Sequence, residues 1–200
     1  MNWIFTVATV LAFIIVVFIL LIFMPKPKVF FDIYIEGTEN FNKQHAQIEK
    51  EVKDVGDVSP VIPIFGNGAI VDTRFPVIYE LLRSLPFVRY AGLINIKPKF
   101  EQVRQYGWDI NSNNTIRYYY AITHSAAQKS GIWIDGQKKF FYSNEWIVGD
   151  ISREHSLFNK NKKESTVVLF IDVDRCDINK GNSPNSDVSK DEVLRVFYKN

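Results

Sequence analysis

The sequence predicts a mainly β domain, a sandwich or barrel with flanking helices, carried behind one N-terminal transmembrane helix. Short runs of β-branched and aromatic residues, broken by turn signals, recur from Phe87 to Val173. Sixteen Phe and nine Tyr among 200 residues suit pleated, half-buried surfaces better than a helical bundle. The first two dozen residues are almost free of polar groups, and the remainder is enough chain for one core.

In chain order, Trp3 to Met24 is apolar apart from Thr6 and Thr9, and about 20 such residues cross a bilayer as a helix. A cleaved signal fits worse, because no basic residue precedes the run and no small-x-small pattern precedes Pro25. Residues 1–24 are therefore read as a transmembrane anchor in the lipid bilayer. Residues 25–28, Pro-Lys-Pro-Lys, form an extended linker, and 29–200 the domain. Lys26 and Lys28 follow the anchor and place the domain on the cytosolic side. On a lumenal domain, Asn113-Asn114-Thr115 would instead be a glycosylation sequon.

Val29–Ile35 reads as a strand. Phe41, Ile48, Val52 and Val55 then recur at helical spacing, an amphipathic surface helix with His45 on its solvated side. Gly56–Gly68 reads as loop with a short strand at Val61–Phe65. Phe75, Ile78, Leu81, Leu82 and Leu85 share one face of a second helix, with Thr73 as cap and Pro76 in the first turn. Strands follow at Phe87–Ile96, Thr115–His124, Gly131–Asp135, Lys138–Tyr142, Trp146–Val148 and Thr166–Val173. Asp135-Gly136 is a hairpin turn. Ser189-Lys190-Asp191-Glu192 is a capping box ahead of a short terminal helix.

Several chemistries are excluded. The net charge of +2 comes from interleaved acids and bases, so no basic stripe predicts a nucleic-acid partner. Cys176 is alone, which rules out an internal disulfide or a thiolate cluster and suits a reducing compartment. It also has no neighbouring histidine to activate it. Gly66-Asn67-Gly68 lacks the rest of a dinucleotide fingerprint. Asp150, Ser152 and His155 share one turn, too close to converge as a hydrolase triad. Tyr118-Tyr119-Tyr120 alternates across a strand and reads as packing. The stretch Trp146–Arg175 is left as the candidate reaction centre, with His155 in the turn ahead of the last long strand.

Six pieces in order carry a family resemblance. They are Leu82-Arg83-Ser84-Leu85-Pro86 closing a helix, Tyr90-Ala91-Gly92-Leu93 running to Ile96-Lys97-Pro98, Gln105-Tyr106-Gly107, Arg117-Tyr118-Tyr119, Gly149 through His155, and Thr166–Val173 with Arg175. Over 75–175 the chain resembles the aspartyl/asparaginyl β-hydroxylases, membrane-linked enzymes that use Fe(II) and 2-oxoglutarate on a double-stranded β-helix, a cupin-like jelly-roll. The resemblance implies that His155 sits where the family has its second metal histidine. It puts Gln105 at the place of the first, Tyr119 at a cosubstrate histidine, and Thr166 at the arginine that grips the distal carboxylate of 2-oxoglutarate. Arg117 is kept, and Asp150 is a further candidate metal ligand. A neutral amide at 105 is a poor ligand for Fe(II), and a threonine offers no charged fork to a carboxylate.

Two readings follow. In the first, the domain no longer holds a metal or cosubstrate and serves as a structural or interaction module with a protein partner; lysine and asparagine abundance and a short linker would suit a membrane-associated virion or capsid component of a large DNA virus. In the second it is an active Fe(II)/2-oxoglutarate dioxygenase that hydroxylates Asp or Asn in a protein.

Overall fold

A computed structural model describes residues 3–23, 28–32, 35–56, 60–101, 115–123 and 128–174. The terminal helix, His124, Cys176, the Asn113 sequon and Gln105 lie outside the described residues.

The helix α1 (Trp3–Phe23) runs for 21 residues, about 31 Å at the α-helical rise. Its side chains are described at Val7 and from Thr9 to Leu20, and all of them are exposed. Within the described portion no helix is long and apolar enough to cross a membrane.

The domain is a three-layer stack. The strands are β1 (Phe30–Phe31), β2 (Val61–Gly66), β3 (Ala69–Ile70), β4 (Val88–Ile96), β5 (Phe100–Glu101), β6 (Thr115–Thr123), β7 (Ser130–Ile134), β8 (Gln137–Phe140), β9 (Trp146–Gly149), β10 (His155–Asn159) and β11 (Thr166–Asp174). A seven-stranded sheet has the order β1-β9-β6-β11-β4-β2-β3, and a four-stranded sheet the order β5-β10-β7-β8. Helices α2 (Thr38–Lys43), α3 (His45–Val55) and α4 (Pro76–Ser84) cover the outer face of the larger sheet.

The pairing reduces to one long hairpin rolled on itself. From the β7–β8 turn outward, β7 pairs with β8, β6 with β9, β5 with β10 and β4 with β11, all antiparallel. Added pairs β6–β11 and β7–β10 close each sheet. This is the double-stranded β-helix, the jelly-roll solution to the problem of exposed sheet edges. The tip is the expected turn: Asp135 (φ 43°) and Gly136 (φ 81°) both adopt positive φ, as a type I′ hairpin requires.

Burial explains the strand sequences. In β6, Tyr118 and Tyr120 enter the core under the helices, while Tyr119 enters the core between the sheets, the alternation that a pleated strand imposes. In β11 both faces are covered, which is why TVVLFIDVD is nearly continuous apolar sequence. Gly92 on β4 is needed for close approach, since a Cβ there would lie 2.6 Å from the Ile62 carbonyl oxygen and 3.0 Å from the Phe170 ring.

Four local expectations change. The first strand is only Phe30–Phe31, with Ile33 and Tyr34 outside the described residues. The first amphipathic segment is two helices that meet at Gln44. Thr73 does not cap α4; the Glu51 carboxylate of α3 accepts the Val77 and Ile78 N–H groups at 2.8 and 3.1 Å, satisfying two of the helix's orphan donors from a neighbouring element. His45 is half-buried rather than solvated. Its Nδ1 lies 2.8 Å from the Tyr120 hydroxyl and its Nε2 3.1 Å from Ser143 Oγ.

Substituting Gly92→Ala drives a methyl into the Ile62 carbonyl and the Phe170 ring. The expected loss of unfolding free energy in urea titration is at least about 2 kcal/mol, the upper part of the range for overpacked cores.

Candidate active site

The space between the sheets holds two polar centres in an otherwise apolar core. At one end, β10 opens with His155 opposite Ile134 of β7, next to the hairpin tip. Facing it from the larger sheet are Arg117 and Tyr119 of β6 and Phe170 and Asp172 of β11. The register pairs Arg117 with Asp172 and Tyr119 with Phe170, so all four share the inner face. At the other end, Thr166 opens β11 fully buried, and its Oγ1 donates to Ser130 Oγ at 2.8 Å.

His155 was expected in a turn; it is the first residue of a strand, and the turn is Ile151–Glu154 before it. Its Nδ1 lies 2.9 Å from the Arg153 carbonyl oxygen. A carbonyl only accepts, so Nδ1 carries the proton and Nε2 keeps its lone pair. Burial holds the His155 pKa below the ordinary imidazole range. The bond to Arg153 and the charges of Asp172 and Asp150 oppose that shift, and Arg117 reinforces it. The imidazole is therefore neutral at pH 7, with the tautomer of a metal ligand.

Its neighbours are committed to one another. The Arg117 guanidinium donates from Nε and Nη2 to the two oxygens of Asp172, each at 2.6 Å, and stacks over the Phe170 ring at 4.6 Å. Burial works against the Arg117 charge, but Asp172 more than offsets it and, with a smaller contribution from Tyr119, raises the pKa further. Tyr119 is bonded to Arg117, and its hydroxyl is pushed up to about 12, chiefly by burial. Asp150 Oδ1 accepts the Ser152 N–H at 3.2 Å and the Ser152 hydroxyl at 2.5 Å, the hydrogen bonds of an Asx-type turn.

The structure thus brings Arg117, Tyr119 and His155 together, with Asp150 in the adjoining turn. Thr166 is elsewhere: Ser130 pairs with Asn159, four residues along β10 from His155, or roughly 13 Å at the rise of a strand. Between the two ends lie Leu157, Ile132 and Val168, all buried. Among the described residues, the side chains do not fit the iron and 2-oxoglutarate that the resemblance implies. His155 supplies one lone pair, Asp172 closes the Arg117 fork, and the Thr166 hydroxyl is engaged with Ser130. Among the described residues no three His, Cys, Asp or Glu side chains are grouped to hold a metal ion.

Asp172 is the site residue that sequence reasoning missed. Its signal was an acid flanked by apolar residues in a strand, matched by a lone Arg117 in another, since buried charges call for partners.

No family model matches the chain, and no curated protein does. Solved structures resemble it at low identity. The viral collagen prolyl hydroxylase of Paramecium bursaria Chlorella virus 1, in complex with 2OG, aligns with a TM-score of 0.45 and 9% identity over 66% of this chain and 89% of that one. The non-heme monooxygenase ThoJ, as a nickel complex, aligns at 0.41 and 13% over 69% of each chain. The Cnp3 cupin domain of Schizosaccharomyces pombe aligns at 0.37 and 15%, over 51% of this chain and 66% of that one. The topology of this chain rests on its own strand order, and the roles of its residues on their own contacts.

Removing one partner of the buried pair should be far worse than removing both. Asp172→Ala strands a guanidinium and is expected to lower stability by about 3–5 kcal/mol, whereas Arg117→Met with Asp172→Leu should recover most of that loss. Urea unfolding of the three proteins measures it.

Because the folded pKa of His155 is lowered, the unfolded chain takes up the proton first. Its contribution is full above pH of about 6.5 and is lost as pH falls below that value toward the folded pKa. His45 is shifted the same way, mainly by burial. The stability difference between wild type and His155→Gln should therefore narrow between pH 7.5 and 5, which urea midpoints across that range will reveal.

Proposed function

We propose that this is a single-pass membrane protein whose hydroxylase-like jelly-roll serves as a structural or interaction module, its oxygenase chemistry lapsed. The observation that carries this reading is the Arg117–Asp172 fork. Among the described residues, the guanidinium on the inner face beside His155 is that of Arg117, and its Nε and Nη2 are closed on a carboxylate of its own chain, so no anionic cosubstrate can take them without stranding Asp172. The bond from Thr166 to Ser130 supports it from the other end. Exposed Phe13, Phe18 and Leu20 on α1, at 69%, 64% and 58%, support the membrane part, because apolar surface of that extent needs a cover other than water. The particle of a large DNA virus, with a protein partner next to an internal membrane, is a setting that suits such a module.

The alternative is an active dioxygenase acting on Asp or Asn in a protein. The full chain, purified in a neutral detergent and supplied with Fe(II), ascorbate and 2-oxoglutarate, is expected to retain less than stoichiometric iron and to form no succinate above a no-protein blank. Stoichiometric Fe(II) together with succinate formation that is lost in His155→Ala would overturn the proposal in favour of the alternative.

A further inference from the structure

Charges that are evenly mixed along the sequence are segregated by the fold. At the Thr166 end of the jelly-roll three connections meet: the β4–β5 turn with Lys97 and Lys99, the approach to β7 with Lys129, and the β10–β11 loop with Lys160, Lys162 and Lys163. Backbone hydrogen bonds join them, from Lys99 N to the Asn161 oxygen at 2.8 Å and from Lys160 N to the Lys129 oxygen at 2.7 Å. All six lysines are exposed, and among the described residues none is in an ion pair. Among the described residues of these connections the acids are Glu101 and Glu164. Phe100, 40% exposed, stands between Lys99 and Glu101.

We propose that this basic end binds the phosphate backbone of a nucleic acid. It goes beyond the module reading and does not depend on it. A lysine run is ordinarily a solvated, floppy loop, but this one is held. Asn159, fully buried, donates from Nδ2 to the Ile96 and Glu164 carbonyls at 2.9 Å each, and its Oδ1 accepts the Asn161 N–H at 2.9 Å. Asn161 Oδ1 in turn accepts the Lys163 N–H at 3.0 Å. Two side chains thus fix the loop that carries half of the charges, so less backbone order is lost when a polyanion binds.

Two features favour nucleic acid over other polyanions. Lysine is a compact point charge that suits phosphate, and it is depleted at protein–protein interfaces. An exposed aromatic ring among the cations offers a stacking face to a base.

The test uses the full chain in neutral detergent with a fluorescent 20-base-pair DNA duplex and a 20-nucleotide single strand, followed by anisotropy from 50 to 200 mM salt. Binding to at least one of them is expected, with log K falling against log salt at a slope of about −4 to −5, since each neutralised phosphate contributes about 0.9 on a duplex. Lys160→Gln/Lys162→Gln/Lys163→Gln should weaken binding at least tenfold at 50 mM salt and flatten the slope by about 2.7. Lys97→Gln/Lys99→Gln, from a different connection, should act in the same direction. Lys43→Gln/Lys50→Gln/Lys53→Gln on the helical layer should leave binding within twofold. No binding at 50 mM salt overturns the proposal, as does equal loss in the helical-layer variant. So does retention on phosphatidylcholine:phosphatidylserine vesicles without binding to either DNA.

Discussion

β11 is the constraint on which the rest of the structure depends. It pairs along nearly its whole length with β4 on one side and β6 on the other, and it is buried on both faces, against the helical layer and against the smaller sheet. A strand so enclosed has no solvent-facing position in which to place a polar group, so each one it carries needs a partner from a neighbouring strand. Thr166 finds Ser130 and Asp172 finds Arg117. The apolar residues between them set the thickness of the core, and Phe170 doubles as the surface over which the Arg117 guanidinium lies.

The same logic governs the polar groups under the helices. Tyr120, pointing the other way from Tyr119, carries its hydroxyl to the junction of α2 and α3. There it lies 2.7 Å from Asn144 Oδ1, 3.1 Å from the Phe41 carbonyl and 2.8 Å from His45 Nδ1. Burial raises the tyrosine pKa and keeps the group neutral. Together with the Glu51 carboxylate at the start of α4, this cluster ties the helical layer to the sheet by directional bonds as well as by apolar contact. Each inner layer is therefore largely apolar with a few bonded polar groups, an arrangement that fixes orientation.

Much of this was legible in the sequence, because strands with one wet face or a tight turn announce themselves. β6, β7, β11 and the Asp135-Gly136 tip were placed to within a residue or two. β10 was not: HSLFN is buried throughout and has no alternation, and Arg153, Glu154 and Lys160 around it read as loop. β5 is two residues long and carries no pattern. In the site, His155 and Arg117 were found, but the partnership of Arg117 with Asp172 spans 55 residues and no local rule connects them. The helix cap from Glu51 and the contact of His45 with Tyr120 failed for the same reason, since propensity sees only neighbours in sequence. The lysine cluster is a fourth case, invisible because its members are contributed by three separate connections.

The nested pairing also sets an order of assembly. Two residues close β7 on β8, whereas about 70 separate the end of β4 from the start of β11. Contacts near the Asp135-Gly136 tip can form early, and the pairing that centres the larger sheet must wait for the most distant segments to meet. Until then β4, with apolar side chains on both faces, is an unpaired edge. A chain organised in this way should fold in milliseconds to seconds rather than microseconds, and its most aggregation-prone species is the one in which the tip has formed and β11 has not yet arrived.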